Sequence, residues 1–124
     1  MNQAPILWLF FGLKGRISRV AFLLGGLLMT VVTLFVLYRM SAADAIEAGD
    51  ALEFWNTVLS VVVFVSLWCQ AALAAKRLHD IGRPGIFAIA MFVPLVNFIA
   101  FVALCLIPGE PGPNKYGAVA NAPN

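Results

Sequence analysis

Residues 54–75 read FWNTVLSVVVFVSLWCQAALAA, and KRLHDIGRPG follows without a gap as residues 76–85. The first block carries no charge, and the second opens on two cations. A hydrocarbon core ~30 Å thick needs ~20 apolar residues of helix to cross it. Residues 54–75 therefore read as a membrane-spanning helix that ends at a charged surface. Two further charge-free stretches, 20–38 and 86–107, are of similar length. The whole chain of 124 residues is 62% hydrophobic and 11% charged, against ~25% charged in ordinary soluble domains. A small domain in water cannot bury that much apolar surface. This composition argues against a soluble enzyme, a disordered tail and a disulfide-stapled secreted scaffold. The predicted fold is an all-α integral membrane protein, a single membrane domain over 1–124. It comprises a bundle of three transmembrane helices preceded by a short interfacial segment. A barrel would need alternating strands of ~10 residues, and none is present.

The third stretch contains Pro94, Leu95, Val96 and Asn97 in its middle. Proline removes a helical hydrogen bond and clashes with the preceding turn. Residues 86–107 are thus either one span kinked at Pro94, which their length suits, or a re-entrant hairpin turning at 94–97. Such a turn is tolerable only against protein or a wet cavity. In the first stretch Gly25 and Gly26 would let another helix approach closely, and Ala71 and Ala75 form a small-xxx-small pair in the second. Gln70 and Asn97 are polar at membrane depth and should face protein, since an unpaired amide in hydrocarbon is costly. Ahead of the first span, residues 5–13, opening on Pro5, are too short to cross, and Trp8, Phe10 and Phe11 suit an interfacial anchor. The tail, 108–124, is rich in Pro, Gly and Asn and reads as an irregular loop with a frayed end.

Basic residues set the orientation. Lys14, Arg16 and Arg19 precede the first span, and Lys76, Arg77 and Arg83 follow the second. The loop between these spans holds Asp44, Glu47, Asp50 and Glu53 against Arg39 alone. The N-terminus and the 76–85 loop are expected in the cytoplasm and the acidic loop outside. The side of the tail depends on how 86–107 runs. Basic residues precede the apolar stretch in a cleavable signal peptide; here they follow the short run 6–11, so none is expected. The net charge of +2 is a topology signal rather than a nucleic-acid one. With Cys69 and Cys105 inside apolar runs and His79 the lone histidine, no metal site and no cofactor is expected.

Three motifs carry the polar chemistry. Gly15-Arg16-Ile17-Ser18-Arg19 lies just before the first span; its arginines suit phosphate, bidentately, or snorkelling to the interface. In the second motif, 76–85, Arg77 and Asp80 are three apart on a helix, and Lys76 and Asp80 four apart, so both pairs can meet. Gly82 is a natural helix stop, with Pro84 preventing continuation. Asp80, near a helix C-terminus where an anion is disfavoured, requires a cation, either local or from Arg16 or Arg19. His79 beside Asp80 resembles a base with its carboxylate, but adjacent helical residues point ~100° apart and no nucleophile motif accompanies them. No catalytic residue is assigned. The third motif runs over 108–117, where Gly112, Asn114, Lys115, Tyr116 and Gly117 build a compact turn.

Taken together and in order, GRxSR, RLHDIG and PGxxGxNKYG resemble the pattern of the small bacterial inner-membrane family catalogued as domain of unknown function 805. The resemblance runs from about Phe10 to Gly117, with the RLHD segment its most specific part. Where the family often has Trp shortly after RLHDIG, this chain has Arg83-Pro84-Gly85-Ile86-Phe87, and the aromatic after GRxSR is Phe22. The resemblance implies a multi-pass protein of the bacterial cytoplasmic (inner) membrane and supplies no reaction, substrate or cofactor.

Three functions follow as expectations. The first is a non-enzymatic module binding anionic phospholipid headgroups or a membrane-protein partner, a second copy included, through Arg16, Arg19, Lys76, Arg77, His79, Asp80 and Arg83. The second is an oligomeric transporter or channel subunit using Gln70, Asn97 and the break at Pro94. The third is a membrane enzyme using His79 and Asp80. Gly15, Gly25, Gly26, Gln70, Gly82, Pro94, Asn97, Gly112, Asn114, Tyr116 and Gly117 are expected to serve packing.

Overall fold

The computed structural model describes residues 6–46 and 49–122. Pro5, at the start of the expected interfacial segment, and Glu47, in the acidic loop, lie outside them. The described residues are helical with no strand: α1 (Ile6–Phe11), α2 (Arg19–Ala45), α3 (Gly49–Ile81), a 3₁₀ segment (Gly85–Phe92) and α4 (Pro94–Leu106).

Two helices, α2 and α3, are long and apolar enough to cross a membrane. At 1.5 Å per residue they measure about 40 and about 50 Å. Ser18 starts α2: its hydroxyl accepts from the Ala21 amide at 3.2 Å, satisfying one of the four orphan N–H groups of a helix start. Gly82 stops α3. With φ +87° it turns the chain left-handed, and Gly82 N–H bonds His79 O while Arg83 N–H bonds Leu78 O, at 3.1 and 2.8 Å. These two bonds are the Schellman pair.

The two long helices pack antiparallel. Gly25 sits where an added Cβ would meet Leu73 at 3.0 Å, Ser66 Oγ lies 3.9 Å from Met29 Sδ, and Phe35 meets Trp55 edge-on at 6.4 Å. A Cβ on Gly26 would collide with the Phe101 ring of α4. Both glycines therefore mark close approach, one to each neighbour. The buried apolar cluster, including Ile17, Phe22, Leu73, Ala74, Met91 and Leu104, lies towards the Asp80 end of α3. Elsewhere the long helices expose Leu24, Val31, Leu34 and Phe64. In water such a surface would drive aggregation; in a bilayer it faces lipid tails.

The third apolar stretch returns to the end from which it starts. Its first residue, Gly85, packs against Ala75 and His79. Its last carbonyls, Leu104 O and Ile107 O, accept from Arg77. Midway, Asn97 Nδ2 bonds Gln70 Oε1 at 3.3 Å and also Met91 O. From Gln70 to Arg77 along α3, and from Asn97 to Leu104 along α4, the rise is the same, about 10 Å. α4 thus runs beside α3 in the same direction, after the 3₁₀ segment has carried the chain inward. A single kinked span would leave residue 107 at the opposite end. Pro94 breaks no helix: it is the first residue of α4, where the missing N–H costs nothing. The direction reverses just before it, at Val93.

The tail departs from the expected frayed loop. It is irregular, yet Asn121 N–H bonds Arg16 O at 2.7 Å, Ser18 N–H bonds the Asn121 side chain at 2.9 Å, and Asn121 Nδ2 returns a bond to Ser18 Oγ at 3.2 Å.

Candidate functional site

Three chain segments converge at the C-terminal end of α3: the loop between α1 and α2, the last turn of α3, and the tail. Asp80 is their centre. It sits where the helix dipole disfavours an anion, and two guanidiniums compensate. Arg16 Nε bonds Oδ1 at 2.9 Å and Arg77 Nη1 bonds Oδ2 at 2.5 Å. All three are buried, at 2%, 0% and 5% exposure for Arg16, Arg77 and Asp80.

The remaining donors of each arginine go to carbonyls. Arg16 reaches Glu110 O and Gly112 O at 2.7 Å and Gly117 O at 3.0 Å, fixing the tail. Arg77 reaches Leu104 O at 2.9 Å and Ile17 O at 3.3 Å, and also Ile107 O. It thereby caps α4, whose last carbonyls lack helical partners. Lys76 turns the other way. Its ammonium bonds Trp8 O, Leu9 O and Gly12 O and stands 5.1 Å from the Trp8 ring centroid, closing the end of α1. The expected Lys76–Asp80 meeting does not form, because the carbonyl end of α1 takes all three ammonium protons. The Asp80 partner across the surface is Arg16; Arg19 lies exposed, 3.5 Å from Leu106 O.

His79 and Asp80 do not pair either. His79 Nδ1 faces Gly15 O at 2.9 Å, and its ring stacks on Tyr116 at 4.2 Å and 4°. Asn114 organises the tail beneath them: its amide donates to His79 O at 2.9 Å and to Glu110 Oε1 at 2.8 Å, and its Oδ1 accepts from Tyr116 N–H at 2.9 Å. Asn114 and Gly117 exchange two backbone bonds. Gly15 and Gly112 hold φ +95° and +75°. A Cβ on Gly15 would press on the Trp8 ring at 2.8 Å.

Of the seven residues expected to bind headgroups or a partner, Arg16, Lys76, Arg77 and Asp80 are buried with partners inside the chain, and His79 is half-buried. Arg19 and Arg83 are exposed, as is Lys14. No described buried side-chain nitrogen or oxygen lacks a partner. The cluster is a closed latch with exposed cations, Lys14, Arg19 and Arg83, close to it in the chain.

Sequence reasoning gave Gly109 only a place in the compact turn of the tail, and gave Glu110 and Asn121 no role in the latch. Gly109 lies so close to the Asp80 carboxylate that a Cβ would collide with it, and Glu110 N–H bonds Asp80 O at 2.7 Å. Asn121, at φ +64°, bridges the tail to Ser18. The only signal for it is that asparagine tolerates left-handed backbone better than most residues.

The model of the family described as Protein of unknown function (DUF805) matches residues 10–118. That range covers Arg16, Lys76, Arg77, Asp80, Asn114 and Tyr116 and stops short of Asn121. Two relatives, each called Inner membrane protein YhaI, come from Escherichia coli (strain K12) and Escherichia coli O157:H7. Each is 39% identical over 46 residues, 37% of this chain and 39% of the relative. The match thus spans about two fifths of the length of these curated relatives. No solved structure matches.

Proposed function

We propose, from the premise that the chain belongs to the DUF805 family, that it is a non-enzymatic module of the bacterial inner membrane that binds anionic phospholipid headgroups through an exposed basic rim. The printed name of its relatives and two helices of spanning length support the location. The latch end holds Lys14, Arg19 and Arg83, while Asp44, Asp50 and Glu53 lie at the opposite end of the α2–α3 pair. By the positive-inside rule the latch end is cytoplasmic. The chain then crosses twice, and 85–107 enters from the cytoplasmic side and returns, so the N-terminus and the tail share that side.

The observation that carries this reading is the division of the cations. Arg16, Lys76 and Arg77 are consumed internally, whereas Lys14, Arg19 and Arg83 surround the latch with no ion pair among the described residues. Each basic residue held at an anionic surface contributes about 1 kcal/mol. The melting midpoint of the protein in nanodiscs should rise as phosphatidylglycerol replaces phosphatidylcholine, and the Lys14→Glu/Arg19→Glu/Arg83→Glu variant should lose that rise. A wild-type midpoint indifferent to phosphatidylglycerol rejects the rim. Topology is tested with an impermeant maleimide in a Cys69→Ala/Cys105→Ala background. Asp50→Cys should label in intact cells and Lys115→Cys only after permeabilisation. Labelling of Lys115→Cys in intact cells removes the returning hairpin.

A further inference from the structure

Beside the latch, on the lipid-facing side, a groove of about 500 Å3 opens between α3 and the 3₁₀ segment. Its walls are Leu13, Trp68, Ala71, Ile86, Ile89 and Phe92, with His79 at one end. From His79 to Trp68 it follows about 16 Å of helix. Ala71 and Ala75, the small pair of α3, line its floor, and their methyl side chains leave room above it for an acyl chain. Trp68 donates its indole N–H to Phe11 O at 3.1 Å, so the ring contributes an apolar wall with no polar atom left over.

Lys14 follows Leu13, and Arg83 stands two residues before Gly85, another lining residue. With consecutive Cα atoms 3.8 Å apart, the backbone of both exposed cations lies within about 8 Å of a lining residue. His79 sits between them. Its Nδ1 faces the Gly15 carbonyl, which only accepts, so Nδ1 is the donor in that contact. Nε2 points towards Gly85, where a Cβ would come within 2.9 Å of it. The polar end of the groove is thus flanked by two exposed cations, which suit a phosphate.

We infer that this groove is a binding site for a single anionic glycerophospholipid, one acyl chain lying along Ala71 and Trp68 and the phosphate held between Lys14 and Arg83. The inference rests on the basic-rim reading above and adds to it a specific position and a chain-binding element. It is tested with full-length protein in phosphatidylcholine nanodiscs doped with lipids brominated on the acyl chains. The fluorescence of Trp68 is read as the difference between wild type and Trp68→Phe. Brominated phosphatidylglycerol should quench Trp68 at a several-fold lower mole fraction than brominated phosphatidylcholine. Lys14→Glu/Arg83→Glu, which alters only exposed side chains, should abolish that preference. Ala71→Phe, which fills the groove and leaves every charge in place, should also abolish it while leaving the phosphatidylglycerol dependence of melting intact. Equal quenching by the two lipids in wild type, or an undiminished preference in folded Ala71→Phe, overturns the groove assignment. If melting still responds to phosphatidylglycerol in that case, the rim stands without the groove; if it does not, both fall.

Discussion

The two ends of the α2–α3 pair are built on opposite plans. At the latch end, Arg16, Lys76, Arg77 and Asp80 are buried, and their side-chain bonds knit three segments together. At the far end, Asp44, Asp50 and Glu53 are exposed, and Arg39 stacks over Trp55 at 4.9 Å with no ion pair among the described residues. The difference shows that a short membrane chain can tolerate buried charge when each charge also closes a helix end. Burying an ion pair is a weak route to stability by itself. Here the guanidiniums and the ammonium simultaneously satisfy carbonyls that α1, α4 and the tail would otherwise leave orphaned. At the far end no returning helix among the described residues needs capping, and the described acids are exposed.

This contrast can be broken most directly at Asp80. Asp80→Ala leaves two buried guanidiniums without their carboxylate and should cost about 3–5 kcal/mol. Asp44→Ala, at the exposed end, should stay within about 0.5 kcal/mol of wild type. Denaturant titration in detergent micelles measures both, and comparable losses at the two ends would erase the distinction. A smaller effect is expected at the start of α2. Ser18→Ala removes the cap and the bond that the hydroxyl accepts from Asn121 Nδ2, while keeping the backbone bond to Asn121, for about 1 kcal/mol. Faster hydrogen exchange at Ala21 and in the 118–122 segment should accompany it if the tail is docked as described. The weakest link is at depth. A double-mutant cycle between Gln70→Leu and Asn97→Leu should give a coupling of about 0.6 kcal/mol, the average for polar pairs between membrane helices. A coupling of zero would place Asn97 away from α3 and reopen the path of the third segment.

Much of the site was legible before any tertiary structure. Arg77 with Asp80 follows from helical spacing, and the Gly82 stop follows from the need for a left-handed residue beyond the last turn. The need of Asp80 for a second cation follows from its place at a helix C-terminus, and Arg16 was one of the two candidates. Lys76 was misread because spacing cannot show that a competing set of carbonyls lies nearer than the carboxylate. What anchors the tail was not legible in its own residues, because its order depends on Arg16, roughly a hundred positions earlier in the chain, and on no local propensity.

Membrane-length apolar stretches, helical class and the asymmetry of charge are properties of composition and short-range periodicity, so the chain's residues alone determined them. The return of 85–107 to its starting face was decided only in three dimensions. A proline is equally compatible with kinking a helix and with starting one, and what selects between them here is the distant Arg77 side chain receiving the far end of α4. The same holds for which cations are buried and which remain exposed. That choice depends on where backbone carbonyls run out of partners, and only the assembled fold fixes it.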